Sequence, residues 1–284
     1  MPPFWDRVTI IGCGLIGSAF ALGLRRNHLC RSITGWDSSE SALKEAVERG
    51  VIDEIDHSFA HGTTSSADLV YLAMPVRSII TFIKECAPLV KPGALITDAG
   101  STKLEVCRNA KEFLPLDRHF IGGHPISGSH LSGIDEARSD LFSERAYVLV
   151  ADQQAITEKP FSEIKQTLTL LGARVLLMSA EEHDQAMAVV SHLPQLLASA
   201  LASVVNSRPD AEELLSIAGP GYTDMTRLAS SSWSIWKDIL KTNRTEIANS
   251  LDHFIHVLQS VRDEICLTES EMALTNSLFN KTSV

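Results

Sequence analysis

As far as Met178, short apolar runs alternate with amphipathic stretches along the chain. Residues 8–11 form a largely apolar run, interrupted by Thr9 and leading into glycine, the mark of a buried strand, and the pattern turns helical from 15 to 26. Further strands are expected at 33–36, 69–73 and 94–98, and helices at 39–49 (closed by Gly50 in the C′ position), 76–89 and 102–113. Strands separated by helices of this length imply right-handed βαβ units and a parallel sheet covered on both faces. Runs at 146–150 and 174–177, with a helix around 161–171, are read as continuing in the same style, whereas 122–129 shows no regular periodicity.

After Met178 the strand signals stop. Ser179 and Glu182 have the spacing of a capping box. The pattern is helical from there to Val205, with a kink expected at Pro194, and again at 211–217, 234–242 and 245–277. The expected architecture is therefore an α/β Rossmann-type dinucleotide-binding domain over 1–178 and an all-helical domain over 179–284. A long apolar helix in so small a helical domain finds its core partner in a second subunit, so a homodimer is expected.

Composition narrows the function classes. Of the 284 residues, 44% are hydrophobic and 21% charged, as in an ordinary globular enzyme. No signal segment is evident, and no uncharged apolar run is read as approaching the roughly 18–20 residues that span a bilayer, so a membrane role is not expected. A net charge of −10 argues against a nucleic-acid partner. The five cysteines are scattered without a C-x-x-C pair, which suggests free thiols in a reducing cytoplasm and no metal site.

The first strand runs directly into Gly12-Cys13-Gly14-Leu15-Ile16-Gly17, a G-x-G-x-x-G loop opening a helix. Gly12 permits the tight turn, Gly14 lets the backbone approach a pyrophosphate, and Gly17 lets helix and sheet pack closely. Asp37, at the end of the second strand and twenty residues beyond Gly17, would bind the ribose hydroxyls and repel a 2′-phosphate. No arginine occurs within 38–44, so NAD is preferred to NADP. Met74 and Pro75, just past the third expected strand, are placed in the same cleft.

Ligands in such sheets lie beyond the carboxyl ends of the strands. Ser101 falls there, at a strand-to-helix turn, and so does His124 in Gly122-Gly123-His124-Pro125-Ile126-Ser127-Gly128-Ser129. His124 is either a loop residue bonded to backbone or a proton acceptor poised near neutral pH. Ser191-His192-Leu193-Pro194-Gln195 sits at the expected kink, where freed backbone groups suit a polar pocket. Arg227 is either a carboxylate clamp or the partner of an acid such as Asp224.

The order G-C-G-L-I-G, D-A-G-S-T-K, G-G-H-P-I-S-G, S-H-L-P and D-M-T-R…W resembles the prephenate/arogenate dehydrogenases of tyrosine biosynthesis, from about Val8 to Trp236. The resemblance implies an NAD-dependent oxidative decarboxylation on a Rossmann-type domain joined to a dimerising helical domain. It implies His124 as the catalytic histidine, and Ser101 as a bridge between substrate, nicotinamide and that histidine. It also implies Arg227 as the grip on the ring carboxylate, with Ser129, Ser191 and Trp236 lining the substrate pocket. The family often has an acid where this chain has His130, and some members have a histidine where it has Gln195. By analogy these two positions face the substrate side chain, and the missing acid points to prephenate over arogenate, while a dehydrogenase of an amino-substituted prephenate analogue stays open; His192 is placed with the substrate-binding residues. With the sequence ending at Val284, an appended regulatory domain is not expected. Two rivals are weaker. β-Hydroxyacid dehydrogenases need a lysine early in the second domain, and none occurs between Lys165 and Lys237; a non-enzymatic NAD-binding protein would use the glycine loop alone.

Overall fold

The computed structural model describes residues 4–57, 63–127, 133–267 and 272–281. One eight-stranded sheet organises the first part of the chain, in the order β3-β2-β1-β4-β5-β6-β7-β8. The strands are β1 (Trp5–Ile11), β2 (Cys30–Trp36), β3 (Glu54–Ile55), β4 (Leu69–Leu72), β5 (Leu95–Asp98), β6 (His119–Pro125), β7 (Ala146–Val150) and β8 (Arg174–Met178). The first six run parallel, so the carboxyl ends of β1, β2, β4, β5 and β6 share one edge. Helices α1 (Leu15–Arg26), α2 (Glu40–Glu48), α3 (Val76–Glu85), α4 (Leu104–Phe113) and α5 (Lys159–Leu170) follow the strands.

Both faces of the sheet are buried, and neighbouring residues of β1 divide between them. Ile10 packs in a core with Phe20 and Leu24 of α1, Leu43 of α2 and Leu168 of α5. Ile11 joins Ile79, Phe82 and Ile83 of α3 and Val106 of α4 on the other side. This is the alternation a doubly covered strand requires. Polar links register the layers. The Trp5 indole donates to Thr167 Oγ1 at 3.1 Å, and the Tyr71 and Tyr147 hydroxyls meet at 3.0 Å between β4 and β7.

Three sequence expectations change here. Residues 119–125 form β6, not an irregular segment; Gly122 and Gly123 break its periodicity, and Gly123 is required because a Cβ there would lie 2.4 Å from the Asp98 carbonyl oxygen. β7 is antiparallel to β6, so the parallel style does not continue, although β8 again runs parallel to β7. The pattern at 245–277 resolves into α11 (Arg244–Cys266) and α12 (Ala273–Lys281).

By packing, the chain forms two compact units, Met1–Asp184 with Ser231–Thr242, and Gln185–Ser230 with Asn243–Val284. The first unit thus includes the start of α6 (Ala180–Met187) and all of α10 (Trp233–Thr242). The Ser179–Glu182 capping box is present, with Glu182 N donating to Ser179 Oγ at 3.1 Å and Ser179 N to Glu182 Oε2 at 2.8 Å. α10 is held by a 2.7 Å bond between the Thr102 and Thr242 hydroxyls.

The second unit holds α7 (Leu193–Asn206), α8 (Ala211–Ser216), α9 (Pro220–Thr226), a 3₁₀ turn at Arg227–Ser230, and α11 and α12. Just before Pro194 the helix takes a π turn, Ala188–His192, which accommodates a proline lacking an N–H without ending the helix. The continuous helical stretch Ala180–Asn206 corrects the expectation about apolar runs. It is long and apolar enough to cross a membrane by length and composition, and only 22% of its most apolar window is buried. Exposed apolar side chains are a general feature of this unit, with Val190 66%, Ile217 80% and Phe279 78% exposed.

Candidate active site

At the carboxyl ends of β1, β2 and β4, the chain turns at Gly12 with φ +99, a conformation that favours glycine. A Cβ there would sit 2.3 Å from the Ala73 carbonyl oxygen, and one on Gly17 would sit 1.9 Å from the Gly12 oxygen. Both glycines are therefore dictated by backbone packing. Gly14 differs: nothing lies within 4 Å of its Cβ position, which leaves an open approach at the start of α1. α1 has no side-chain cap, so the amides of its first turn, at Leu15 and Ile16, are left for an anionic group. An open glycine before uncapped amides fits a pyrophosphate.

Asp37 is fixed beside this turn. Its Oδ2 accepts from Cys13 N at 2.8 Å and its Oδ1 from Ser39 N at 2.9 Å and Ser38 Oγ at 3.5 Å, which leaves Oδ2 lone-pair capacity for a ribose hydroxyl. A cavity of about 570 Å³ is lined by Gly12, Trp36, Asp37, Met74, Pro75 and Arg77, among others. The expected dinucleotide residues are thus brought together. Arg77, from the first turn of α3, is an addition that sequence proximity to Asp37 could not reveal. Burial, and then the Asp37 charge, push the Cys13 thiol up to about 12, so no thiolate opposes a bound phosphate.

One strand further along the same edge, the Asp98 carboxylate organises the turns carrying Ser101 and His124. It accepts from Gly100 N at 2.8 Å and Gly123 N at 3.0 Å, and it pairs with the Lys103 ammonium. Ser101 lies between Gly100 and Lys103, and His124 follows Gly123, so one buried carboxylate sets both. His124 is half-buried at the end of β6, and its Nδ1 lies 2.8 Å from Nε2 of fully buried His183. His183 Nδ1 in turn lies 2.8 Å from Asp184 Oδ1. Asp184 also accepts from Lys103 N at 2.7 Å and Leu104 N at 2.9 Å, capping α4. Burial is the main cause holding the His183 pKa below that of an ordinary histidine. His183 and Asp184 were missed in the sequence; the signal available was an adjacent His-Asp pair directly after the capping box.

The remaining predicted residues fall in three places. Trp236 is on α10, in the first unit. Ser191, His192, Gln195 and Arg227 lie in the second. There His192 is buried, with Nδ1 3.3 Å from Asn243 Nδ2, while Ser191 is exposed on the π turn. Gln195 is buried and donates to Leu228 O at 2.8 Å and Ser199 Oγ at 3.3 Å, so it anchors the 3₁₀ turn that Arg227 begins. Arg227 itself is exposed, and among the described residues no ion pair joins it to Asp224. Ser129 and His130 lie outside the described residues.

Two family models match the chain in succession. The nucleotide-binding domain of prephenate dehydrogenase matches residues 20–177, and the dimerization domain of prephenate dehydrogenase matches 179–278. The glycine turn precedes the first match and stands on its own geometry. A prephenate dehydrogenase of Bacillus subtilis is 35% identical over 271 residues, covering 94% of this chain and 72% of that protein. Among solved structures, prephenate dehydrogenase from Aquifex aeolicus, in complex with hydroxyphenyl propionate and NAD+, is 31% identical with a TM-score of 0.88, covering 97% of this chain and 95% of that one. Arogenate dehydrogenase from Synechocystis is 26% identical with a TM-score of 0.81, covering 96% of each chain. Both halves of the chain match in order, around a dinucleotide turn and a histidine on one sheet edge, and the chain belongs to the prephenate dehydrogenase family of NAD-dependent oxidoreductases.

Proposed function

We propose that the protein converts prephenate to 4-hydroxyphenylpyruvate, with NAD as oxidant and loss of carbon dioxide. One observation carries the reading: His124 ends β6 on the same sheet edge as the dinucleotide turn, and the Asp98 carboxylate that seats it also seats the Ser101 turn. The open face at Gly14, the uncapped α1 amides and Asp37 would hold NAD, which when bound supplies the acceptor for the hydride leaving C4 of the substrate.

The chain's own groups do the rest. His124 takes the proton of the C4 hydroxyl, so that its O–H electron pair can close the C4 carbonyl. The carboxylate at C1 departs as carbon dioxide, and its bonding electrons complete the aromatic ring. The phenol oxygen then recovers a proton. A positioned base contributes about 10²–10⁴ in rate. Ser101 donates toward the same oxygen. Arg227, a planar cation without an acidic partner among the described residues, grips the ring carboxylate, which the net charge of −10 would otherwise repel. The resemblance assigns Ser191, His192, Gln195 and Trp236 to substrate binding; Ser129 and His130, assigned with them, lie outside the described residues.

Gln195 carries no charge, which suits the keto group of prephenate. Arogenate, with an ammonium in its place, is the second reading, supported by the exposed Asp224 carboxylate three residues before Arg227. The apolar side chains exposed on the second unit, in a region matching a dimerization domain, support a homodimer. Five free thiols suit a reducing compartment, the cytoplasm.

The test is a coupled assay following the near-ultraviolet absorbance of NADH, with prephenate and arogenate compared under NAD and NADP. Prephenate with NAD should give the highest kcat/KM, and a hundred-fold preference for arogenate would reverse the substrate assignment. His124→Asn should lower kcat by about 10²–10⁴ with NAD affinity kept. Unchanged turnover would remove His124 from the chemistry.

A further inference from the structure

We propose that His183, oriented by Asp184, is a positioning residue that holds His124 in its Nδ1-protonated tautomer and so makes Nε2 the nitrogen that receives the substrate proton. The proposal rests on the reading of His124 as the base and goes beyond it to the way that base is prepared.

The reasoning is a count of protons along one chain of contacts. The Asp184 carboxylate accepts the N–H groups of Lys103 and Leu104 at the start of α4. The His183 nitrogen 2.8 Å from Asp184 Oδ1 is Nδ1, so a hydrogen bond there requires Nδ1–H. His183 is fully buried, and its burial holds it uncharged near neutral pH. An uncharged imidazole has one N–H, so its Nε2 carries a lone pair. That lone pair meets His124 Nδ1 at 2.8 Å, with the rings set edgewise at 63°. Two lone pairs do not bond, so the proton between the rings belongs to His124 Nδ1. His124 then has its own lone pair on Nε2, as a base requires.

The groups facing His183 agree with an uncharged ring. Asp184 and Asp98 favour protonation, but desolvation is the largest cause and, with the Lys103 ammonium, leaves the net shift downward. His183 is held to Asp184 within the first turn of α6, where the Ser179–Glu182 capping box fixes the helix start. If His183 took a second proton, its Nε2–H would donate to His124 Nδ1 and His124 would be forced into the Nε2–H tautomer. The base would then be capped by its own proton. Loss of tautomer control at a catalytic histidine costs as much as about 10⁴ in kcat in a well-studied hydrolase.

Two measurements on the full-length protein test this. The first is ¹⁵N NMR of histidine-labelled protein at pH 7.5, with the His124 signals assigned by their loss in His124→Asn. The proposal expects His124 with a protonated Nδ1; a protonated Nε2 overturns it. This result does not depend on any substrate, so it stands even if prephenate proves not to be turned over. The second compares His183→Phe with His183→Gln, because a glutamine oxygen can accept from His124 Nδ1–H and a phenyl ring cannot. For His183→Phe we expect kcat about 10²-fold lower, with KM and NAD affinity within two-fold and the His124 signals moved toward Nε2–H. For His183→Gln we expect kcat within about ten-fold of the parent, and the acid limb of its pH profile moved to lower pH, since it has no ring to protonate. Should His183→Phe fail to fold, His183→Gln and the parent's NMR still decide. Full kcat in His183→Phe, or an Nε2–H signal in His183→Gln, would refute the mechanism.

Discussion

Lys103 and Asp98 form an ion pair in which both side chains are completely buried, at 0% exposure. The carboxylate also takes the amides of Gly100 and Gly123, so the pair supports the turns that carry Ser101 and His124. It links the end of β5, the end of β6 and the start of α4. Removing one partner leaves an unpaired charge where water cannot reach. Lys103→Met should therefore destabilise the protein by about 3–5 kcal/mol. The check is urea denaturation, where the midpoint should fall without a change in slope. A loss under 1 kcal/mol would mean that the pair contributes little.

Gly14 and Gly17 should separate stability from cofactor binding. In Gly17→Ala the added methyl meets the Gly12 carbonyl oxygen at 1.9 Å, a rigid backbone atom, so about 1–3 kcal/mol of stability should go along with NAD affinity. In Gly14→Ala the methyl meets nothing within 4 Å, so stability should hold while NAD binding weakens ten-fold or more. Calorimetric titration with NAD beside chemical denaturation reads both. Equal stability losses would contradict the packing described.

Arg77 and Asp37 line one cavity, which predicts an easy change of cofactor preference. Asp37→Ser removes the carboxylate that repels a 2′-phosphate and leaves a guanidinium already in place. The ratio of kcat/KM for NADP to that for NAD should rise at least ten-fold, and Arg77→Ala added to it should cancel most of the gain. No change in the ratio would show that Arg77 does not reach the nucleotide.

Arg227→Ala tests the carboxylate grip. One charge-assisted hydrogen bond contributes about 1.5–3 kcal/mol, so KM for prephenate should rise ten-fold or more, with NAD affinity unaltered. An unchanged KM would make the arginine a bystander on its turn.

The burial of His183 also has a sign in the pH dependence of stability. Its folded pKa is lowered from 6.5, so in the window below 6.5 the unfolded chain binds the proton first. Stability from this group is complete above 6.5 and declines as the pH falls toward the folded value. The stability difference between the parent and His183→Gln should thus shift in favour of the variant between pH 7 and pH 5. Parallel pH curves for the two proteins would exclude this contribution.

Much of the fold was legible because local rules and burial agreed. The pattern at 15–26 became α1 with those bounds, and the run at 146–150 became β7. The spacing of Ser179 and Glu182 became a reciprocal cap. β6 was not legible, since its glycines serve the close approach of Asp98 and carry no alternation to read. The reversal of β7 is equally invisible in a run of apolar residues, whose pattern is the same in either direction.

From the chain alone came the glycine turn, the acid after the second strand, the histidine after paired glycines and the change to helices past Met178. Each depends on spacing along a single element, which local sterics and periodicity specify. Tertiary structure alone decided that Arg77 lines Asp37's cavity, that Asp98 seats the turns carrying Ser101 and His124, and that His183 and Asp184 stand behind His124. Apart from the local bond of Asp98 to Gly100, those relations join residues 25 to 60 positions apart, and strand order, not sequence spacing, sets which of them meet.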